Sequence, residues 1–259
     1  MIKDVIFPKN KPLGYPFDIK AFNKVESLDL NHQSIIFVGD NGSGKSTLLK
    51  ALAHHMKAIN VSHPNQTFFT SVIPLSDQLH IATTARDHQS LFFSGEDFIT
   101  YINYVKKMKV SLQSDIDTLS ETYKDKNDYA KSLLLGPFKK ELYALNSAFK
   151  KALETQSHGE GFLFFFKARF HDKAIYFLDE PETPLSPINQ YQLLVLLYDL
   201  TQSGAQVIIA THSPILMALP NAKIYQFSEI IQKINYDDIE HVTFLRHFLN
   251  DPERFTHNL

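Results

Sequence analysis

A glycine-rich loop that ends in a lysine and a hydroxyl residue carries the most specific chemistry in this chain. Residues 39–47 read Gly-Asp-Asn-Gly-Ser-Gly-Lys-Ser-Thr and fit the phosphate-binding pattern G-x-x-x-x-G-K-[ST]. The glycines let backbone N–H groups turn toward phosphate oxygens, Lys45 can reach the β- and γ-phosphates, and Ser46 can ligate Mg²⁺. The alternative is a glycine-rich turn with a chance Lys-Ser pair. The pattern predicts that the phosphate contacts come from Gly39, Asn41, Gly42, Ser43, Gly44, Lys45, Ser46 and Thr47.

Two adjacent carboxylates follow a short apolar run further along the chain. The run is residues 174–178, and Asp179, Glu180 and Pro181 come directly after it. This is a Walker B pattern, in which Asp179 holds Mg²⁺ through its water shell and Glu180 polarises the water that attacks the γ-phosphate. One carboxylate cannot do both jobs, so the pair indicates hydrolysis. Taken alone, the segment also fits an acidic helix N-cap followed by proline at a turn.

A histidine follows the next apolar run. Residues 206–210 form this run, and Thr211, His212 and Ser213 come next. The ring of His212 can point at the γ-phosphate and hold the attacking water in line, whereas the alternative is a hydrogen-bonded structural residue at a strand end. Because the run follows Walker B directly in chain order, adjacency in a sheet would bring His212 to the phosphate. We therefore predict catalytic roles for Glu180, His212 and Lys45.

These side chains require a frame of strands and helices. Residues 34–38 predict a strand before the glycine loop, and apolar residues at helical spacing predict a helix after it. The rest of the chain predicts a β-rich segment to about residue 29, strands near residues 67–72 and 78–83, and a helical stretch at 96–155 with turns at 124–128 and 136–137. The result is an α/β fold with one domain, residues 1–259, and a helical insert at approximately 96–155.

In this order of motifs the chain resembles the ABC-type ATPase superfamily, whose heads carry a switch histidine at the position of His212. Residues 91–98 and 248–255 also look like segments of small bacterial AAA/ABC-like proteins with a Ser-His-Gly-Glu signature. The resemblance implies an ABC-type P-loop NTPase head with a mixed β-sheet core, an N-terminal β-rich subdomain and an inserted helical lobe. It extends from about residue 15 to the C-terminus and is weak over residues 99–155.

The resemblance also implies a signature loop between the two Walker motifs. Residues 156–160 read Gln-Ser-His-Gly-Glu where transporter heads carry Leu-Ser-Gly-Gly-Gln, so Ser157 and Gly159 match while Gln156 and His158 depart. In the family this loop serves the γ-phosphate held by the opposite subunit. Ser157 and Gly159 are therefore expected to bind ATP across an ATP-dependent head-to-tail homodimer. A helix is expected to follow, at 161 to about 169, and His158 is either part of the loop or a surface residue with no role.

Three further features of the family have less definite counterparts. Residues 183–187 align with the D-loop, with Ser186 at the usual aspartate, which makes the contact between subunits less certain. ABC-type heads often stack adenine on an aromatic side chain before Walker A, and three aromatics lie in that neighbourhood: Tyr15, Phe17 and Phe22. For the lid residue the choices are Gln89 and Glu96, and Glu96 is favoured because it falls in the family-like Phe-rich block.

Composition agrees with an intracellular ATPase. The chain has 259 residues, 44% of them hydrophobic, which is enough for one head with a large core. The absence of cysteine excludes disulfides, thiolate catalysis and Cys-based zinc sites. A net charge of −2 argues against a surface built for nucleic acid, although a local patch at Lys106, Lys107 and Lys109 stays open beside the reading as a solvated helix face. No long apolar run or signal-peptide core is present, so we expect no membrane insertion and a cytoplasmic location.

The sequence thus predicts an ATPase that binds ATP and Mg²⁺ and hydrolyses ATP to ADP and phosphate. A protein partner of unknown identity would use this cycle, with DNA maintenance and phage defence suggested by family analogy alone. Two alternatives are the nucleotide-binding subunit of a membrane ABC transporter, disfavoured by the altered signature and Ser186, and a P-loop kinase, which would leave the signature and His212 unexplained.

Overall fold

The computed structural model describes residues 1–61, 66–84, 89–154, 162–163, 166–167 and 170–257, with side chains given except at 66–68, 101 and 147–154. The chain divides into two compact units. The first is Met1–Gly95 with Phe170–Leu259, and the second is Glu96–Arg169.

Ten strands are present in the described residues, all of them in the first unit. They are β1 (Ile2–Ile6), β2 (Ser27–Asp29), β3 (Ser34–Gly39), β4 (Ile59–Asn60), β5 (His80–Thr83), β6 (Ser90–Ser94), β7 (Ile175–Asp179), β8 (Gln206–Ala210), β9 (Lys223–Phe227) and β10 (Ile231–Ile234). Seven form the main sheet in the order β10-β9-β3-β8-β7-β6-β4. All its neighbouring strands are parallel except β9 and β10, which confirms the mixed sheet.

The central strands are buried along their whole length. Every residue of β7 and β8 is buried, and so are the first five residues of β3. Parallel strands covered on both faces read as continuous apolar runs, and this is why these three runs were recognisable in the sequence. Their carboxyl ends all lie at the same edge of the sheet, where Walker A and Walker B follow.

The N-terminal strands form a small antiparallel sheet in the order β2-β1-β5. The β-rich start of the chain therefore supplies two strands, and β5 from further along completes the sheet. Gln206 at the start of β8 ties it to the main sheet: its Oε1 accepts from the Ile2 amide at 2.6 Å, and its Nε2 donates to the carbonyls of Ile2 and Leu30, both at 2.9 Å.

The helices connect these strands and build the second unit. In chain order they are α1 (Lys20–Asn23), α2 (Lys45–His55), α3 (Ile73–Gln78), α4 (Gly95–Thr122), α5 (Asp128–Glu154), α6 (Pro187–Gln202), α7 (Pro214–Met217), α8 (Glu240–Asn250) and α9 (Glu253–Thr256). Short 3₁₀ segments lie at Gln66–Val72 and Tyr236–Asp238. No helix of the described residues is long and apolar enough to cross a bilayer.

The strand expected near residues 67–72 is wrong, because this segment is a 3₁₀ helix that leads into α3. Phe69 and Val72 are buried three residues apart, while Thr70 and Ser71 between them are exposed. A spacing of three matches one 3₁₀ turn and not the alternation of a strand. The strand expected at 78–83 exists but begins at His80, since α3 continues through Gln78.

The second unit contains the predicted pair of helices, α4 and α5. The expected turn near 124–128 is present, and the Asn127 side chain caps α5 by accepting from the Ala130 amide at 2.8 Å. The expected turn at 136–137 is wrong, because Pro137 lies inside α5. The neighbouring Leu135 is buried, and the helix continues past the N–H that proline lacks. Phe162 packs on Phe98 with ring centroids 5.4 Å apart.

Candidate functional site

The glycine loop joins β3 to α2 and needs its glycines for steric reasons. Gly39, Gly42 and Gly44 have φ angles of +141°, +77° and +102°, which other residues rarely adopt. A Cβ at Gly39 would overlap the carbonyl oxygen of Phe227, and one at Gly44 would lie 2.7 Å from Cγ2 of Ile19. The loop therefore tolerates no side chain at its two ends, and α2 begins at the residue that follows it.

Lys45 is the first residue of α2 and is buried. Its Nζ donates to the carbonyl oxygens of Gly39 and Asp40, both at 2.8 Å, so the ammonium lies across the loop that it would serve. Burial lowers the pKa of Lys45, while the carboxylates of Glu180 and Asp179 oppose this shift. A phosphate bound in the loop would give the ammonium an anionic partner in place of neutral carbonyls.

Asp179 ends β7 and meets α2 through two side chains. Ser46 Oγ donates to its Oδ1 at 2.6 Å, and Lys50 Nζ lies 3.5 Å from its Oδ2. Burial raises the pKa of Asp179, and the charge of Lys50 and the Ser46 hydroxyl oppose the rise. Sequence reasoning missed Lys50. The signal was its spacing, because Ser46 and Lys50 are four residues apart and share one helix face.

The donor set at this point fits Mg²⁺. A serine hydroxyl and a carboxylate are hard oxygen ligands, and Mg²⁺ in nucleotide sites takes one or two of these and completes its shell with water and phosphate. No cluster of three or more His, Asp or Glu side chains suited to a metal occurs in the described part of the chain. Ser46 and Asp179 would hold Mg²⁺ together with the phosphates of a nucleotide, which would supply further oxygen ligands.

Glu180 turns the chain sharply away from β7. Its φ is +45°, a left-handed conformation that costs a non-glycine residue on the order of 1 kcal/mol. Its amide donates to the Ala210 carbonyl at 2.8 Å, and its carbonyl accepts from the Thr183 amide at 3.2 Å. A Cβ on Gly95 would overlap this same carbonyl oxygen, so Gly95 is required for the close approach.

His212 lies beyond the end of β8, which pairs with β7 so that Ala210 is opposite Asp179. The predicted adjacency of β7 and β8 in the sheet is therefore confirmed. Nε2 of His212 is 3.7 Å from Oε1 of Glu180. Burial, with the charges of Lys45 and His241, lowers the pKa of His212, which makes the neutral imidazole the dominant form at pH 7.

Two buried polar atoms at this edge are left without partners. Ser43 Oγ in the glycine loop and His212 Nε2 are both shielded from solvent and make no hydrogen bond within the described ranges. Buried polar groups in folded proteins are normally satisfied, so unpaired atoms beside a phosphate loop are consistent with a ligand site.

The predicted site residues that the structure describes lie at one edge of the main sheet, at the carboxyl ends of β3, β7 and β8. Ser157 and Gly159, with the rest of the 156–160 loop, lie outside the described residues, as does most of the helix expected at 161–169. Their predicted contacts stay predictions.

Gln89 directly precedes β6, at the end of the strand away from the site, which disfavours it as the lid residue. Its carbonyl accepts from the Ile175 amide at 2.9 Å, at the amino end of both strands. Ser94, at the other end of β6, is the residue opposite Asp179. Five residues separate Gln89 from this edge, about 16 Å at roughly 3.3 Å per residue. Glu96 is the second residue of α4, two residues after the carboxyl end of β6, and belongs to the second unit.

The three aromatics before Walker A differ in exposure. Phe17 and Phe22 are buried in the core, and Phe22 packs on Phe7 with ring centroids 5.7 Å apart. Tyr15 is 55% exposed, and its hydroxyl is 3.2 Å from Oγ1 of Thr47 in the first turn of α2, which follows the glycine loop. Tyr15 is therefore the aromatic with a free face beside the loop.

A cavity of about 620 Å³ opens on the other side of the loop. Its wall combines Asp40 and His212 with Phe227, His241 and Phe244 from the C-terminal part of the chain. Helix α8 thus lines the same cavity as His212. The sequence did not indicate this proximity.

A glycine loop joins parallel strand β3 to a helix, and the carboxylate that binds the hydroxyl of Ser46 ends β7, with β8 between the two strands. This arrangement is that of a P-loop NTPase. Two family models match this chain: the AAA ATPase domain over residues 94–217 and the AAA domain over residues 18–54. Both models describe AAA ATPase domains and agree with the predicted AAA-like P-loop ATPase. The comparison with curated proteins found no match.

Solved structures that the chain resembles include an ATP-binding cassette and two Smc head domains. A nucleotide-free ATP-binding cassette from an ABC transporter is 15% identical, covers 98% of this chain and 97% of its own, and has a TM-score of 0.45. The Smc head domain of Pyrococcus furiosus, solved with an extended coiled coil and bound to the C-terminal domain of ScpA, is 10% identical, with coverages of 96% and 99% and a TM-score of 0.44. The SMC head domain of Thermotoga maritima is 13% identical, with coverages of 90% and 98% and a TM-score of 0.40. At these scores the likeness carries no argument about function.

Proposed function

We propose that this protein binds Mg-ATP and hydrolyses it to ADP and phosphate. The observation that carries the proposal is the 3.7 Å separation of Glu180 Oε1 and His212 Nε2 at the edge that also holds Lys45 and the Ser46–Asp179 pair. Groups that would bind the phosphates, hold a metal and orient a water thus come from three neighbouring elements. A nucleotide-binding protein without hydrolysis would not need Glu180 and His212 together.

The attacking water would lie between Glu180 and His212. At their separation both groups can contact one water at about 2.8 Å each, the usual hydrogen-bond distance to oxygen. Glu180 would accept a proton of the water, and the neutral ring of His212 would hold the water or a γ-phosphate oxygen in line. Lys45 would leave the loop carbonyls and bind the β- and γ-phosphates. Bound Mg²⁺, held by Ser46 and through water by Asp179, would neutralise charge that develops on the phosphate oxygens.

Adenine would stack on Tyr15. The Tyr15 hydroxyl is 3.2 Å from Oγ1 of Thr47, which directly follows Lys45 and Ser46 in the first turn of α2. A nucleotide with its phosphates in the loop would therefore have its base on the side where Tyr15 is exposed. Phe17 and Phe22 would need to leave the core to do the same.

Two parts of the proposal depend on the family resemblance. We infer an ATP-dependent head-to-tail homodimer in which Ser157 and Gly159 of one subunit bind the γ-phosphate held by Lys45 of the other. We also infer that a partner protein uses the cycle, in DNA maintenance or phage defence. Identification of the protein that co-purifies with the chain would test the second part. The cytoplasmic location stays a prediction.

The deciding experiment follows the products of the purified protein with Mg-ATP. Release of ADP and free phosphate supports hydrolysis, whereas a phosphorylated product formed with cell extract, detected by mass analysis, would indicate a kinase instead. Glu180→Gln keeps the shape and removes the base, so it should retain ATP binding and lower turnover by about 10²-fold or more. Glu229→Gln is a matched control, since Glu229 is an exposed acid that pairs only with exposed Lys20 at 3.9 Å. Near wild-type turnover in Glu180→Gln would contradict the assignment.

A further inference from the structure

We propose that Glu182 is a positioning residue that holds His212 against Glu180, an inference that rests on the proposed ATPase function. Glu182 follows Glu180 by two residues in the segment after β7. Its Oε1 accepts from the backbone amide of His212 at 2.7 Å and from that of Ser213 at 3.1 Å. One carboxylate oxygen from the Walker B segment therefore fixes the backbone that carries the histidine.

Stability alone does not explain this carboxylate. Oε2 of Glu182 is shielded from solvent and makes no hydrogen bond within the described part of the chain. Burial raises the pKa of Glu182, with the Thr211 hydroxyl and the His212 amide opposing the rise. A buried carboxylate oxygen without a hydrogen bond lowers stability, so the carboxylate is accounted for by the two amides that Oε1 holds in place.

A second side chain, that of Gln190 on α6, also contacts the loop that carries His212 and Ser213. Ser213 Oγ donates to Oε1 of Gln190 at 2.6 Å and accepts from the Leu216 amide at 3.2 Å, which caps α7. Nε2 of Gln190 in turn donates to the Leu185 carbonyl at 3.0 Å. Ser213 itself thus caps the start of α7. The role left for Glu182 is to set the position of His212, which precedes Ser213.

The consequence is that Glu180 and His212 share one support. Glu180 is turned away from β7 by its left-handed backbone, and Glu182 joins this turn to the backbone of His212. A displacement of the loop after β8 would change the separation of the two side chains that hold the water. Errors of about 1 Å in such positions lower turnover strongly, on the order of 10²-fold.

The test compares Glu182→Ala with Glu182→Gln. The alanine variant should lower kcat by about tenfold or more and change the KM for ATP by less than about threefold, because it alters the hydrolytic geometry and leaves the glycine loop intact. The glutamine variant keeps an oxygen acceptor for both amides and should stay within about threefold of the wild-type kcat. Glu182→Met, which removes the acceptor and keeps the side-chain length, replaces the alanine variant should that one unfold. Glu229→Ala is the matched control.

A double-mutant cycle with His212→Ala shows whether Glu182 acts through His212. In the His212→Ala background the loss of Glu182 should have no further effect on kcat, since the group that it positions is gone. In the wild-type background, NMR titration of the histidines of the nucleotide-free protein should show that Glu182→Ala shifts the His212 signal alone. An equal further loss of kcat in the double mutant would overturn the inference, as would a fully active Glu182→Met. If the wild type released no phosphate, or if His212→Ala were fully active, the proposed function itself would be wrong.

Discussion

Lys50 Nζ lies 3.5 Å from Oδ2 of Asp179, and this is a pair between a partly buried cation and a buried carboxylate. Ser46 occupies the other carboxylate oxygen at 2.6 Å. Both carboxylate oxygens of Asp179 are therefore in contact with α2. The charge of Lys50 opposes the rise in the pKa of Asp179 that burial causes.

Lys50→Met should destabilise the nucleotide-free protein by about 1–3 kcal/mol at pH 7.5, because it leaves the carboxylate of Asp179 buried without its countercharge. The destabilisation should shrink as the pH falls toward 5. The pKa of Asp179 is already raised by burial and rises further without Lys50, so the folded state binds a proton more readily than the unfolded state and gains stability on acidification. Urea unfolding at the two pH values measures both effects.

Two variants complete that measurement. Asp179→Asn in the Lys50→Met background should restore part of the lost stability, since it removes the uncompensated charge. Lys20→Met should have no measurable effect, because Lys20 and its partner Glu229 are both exposed. A Lys50→Met protein as stable as wild type at pH 7.5 would mean that the pair contributes nothing.

His212→Ala should lower turnover by one to several orders of magnitude and leave ATP binding and the melting temperature nearly unchanged, which is the result expected of a lost transition-state contact. Steady-state phosphate release and thermal melts on the same preparation measure this. A destabilised but active variant would indicate that His212 has only a structural role.

His212 should also contribute to acid sensitivity. Its folded-state pKa is lowered from 6.5 by burial, Lys45 and His241, so the unfolded chain binds a proton that the folded protein resists. The stability contribution is thus present above about pH 6.5 and is lost as the pH falls through the lowered pKa. His212→Asn should flatten the decrease in melting temperature between pH 7 and 5, and the exposed His247→Asn should not. An unchanged pH profile in His212→Asn would contradict the lowered pKa.

Tyr15→Ala should weaken ATP binding by about tenfold, the scale of one stacking contact between a base and an aromatic ring, with little change in kcat at saturating ATP. Tyr15→Phe keeps the ring and should bind ATP almost as the wild type does. Binding of inorganic triphosphate, which has no base, should be the same in all three proteins. Tyr104→Ala is the matched control, with 56% of Tyr104 exposed. Equal loss of triphosphate binding in Tyr15→Ala would show damage to the glycine loop through Thr47 and not a lost stack.

The proposed homodimer should depend on nucleotide. Glu180→Gln, which traps bound ATP, should shift from monomer to dimer on addition of Mg-ATP in light scattering, and Ser157→Arg in the same background should prevent the shift. A monomer at all micromolar concentrations with ATP present would contradict the sandwich. A dimer that forms without nucleotide would place the contact elsewhere.

The sequence by itself determined the elements that carry the site. Strands β3, β7 and β8 were predicted because a strand buried on both faces is a continuous apolar run, and the glycine loop because its pattern allows few other structures. These are local signals. The same local reasoning failed at residues 67–72, predicted as a strand and found as a 3₁₀ segment, and at Pro137, predicted in a turn and found inside a helix.

Only the tertiary structure decided how side chains from distant parts of the chain meet. Lys50 and Asp179 are 129 positions apart, and Glu182 meets His212 across the gap between two loops. Exposure distinguishes Tyr15 from the buried Phe17 and Phe22. The position of Gln89 before the amino end of β6 distinguishes it from Glu96. No periodicity encodes these relationships, because they follow from strand order and register, which pair residues far apart in the sequence.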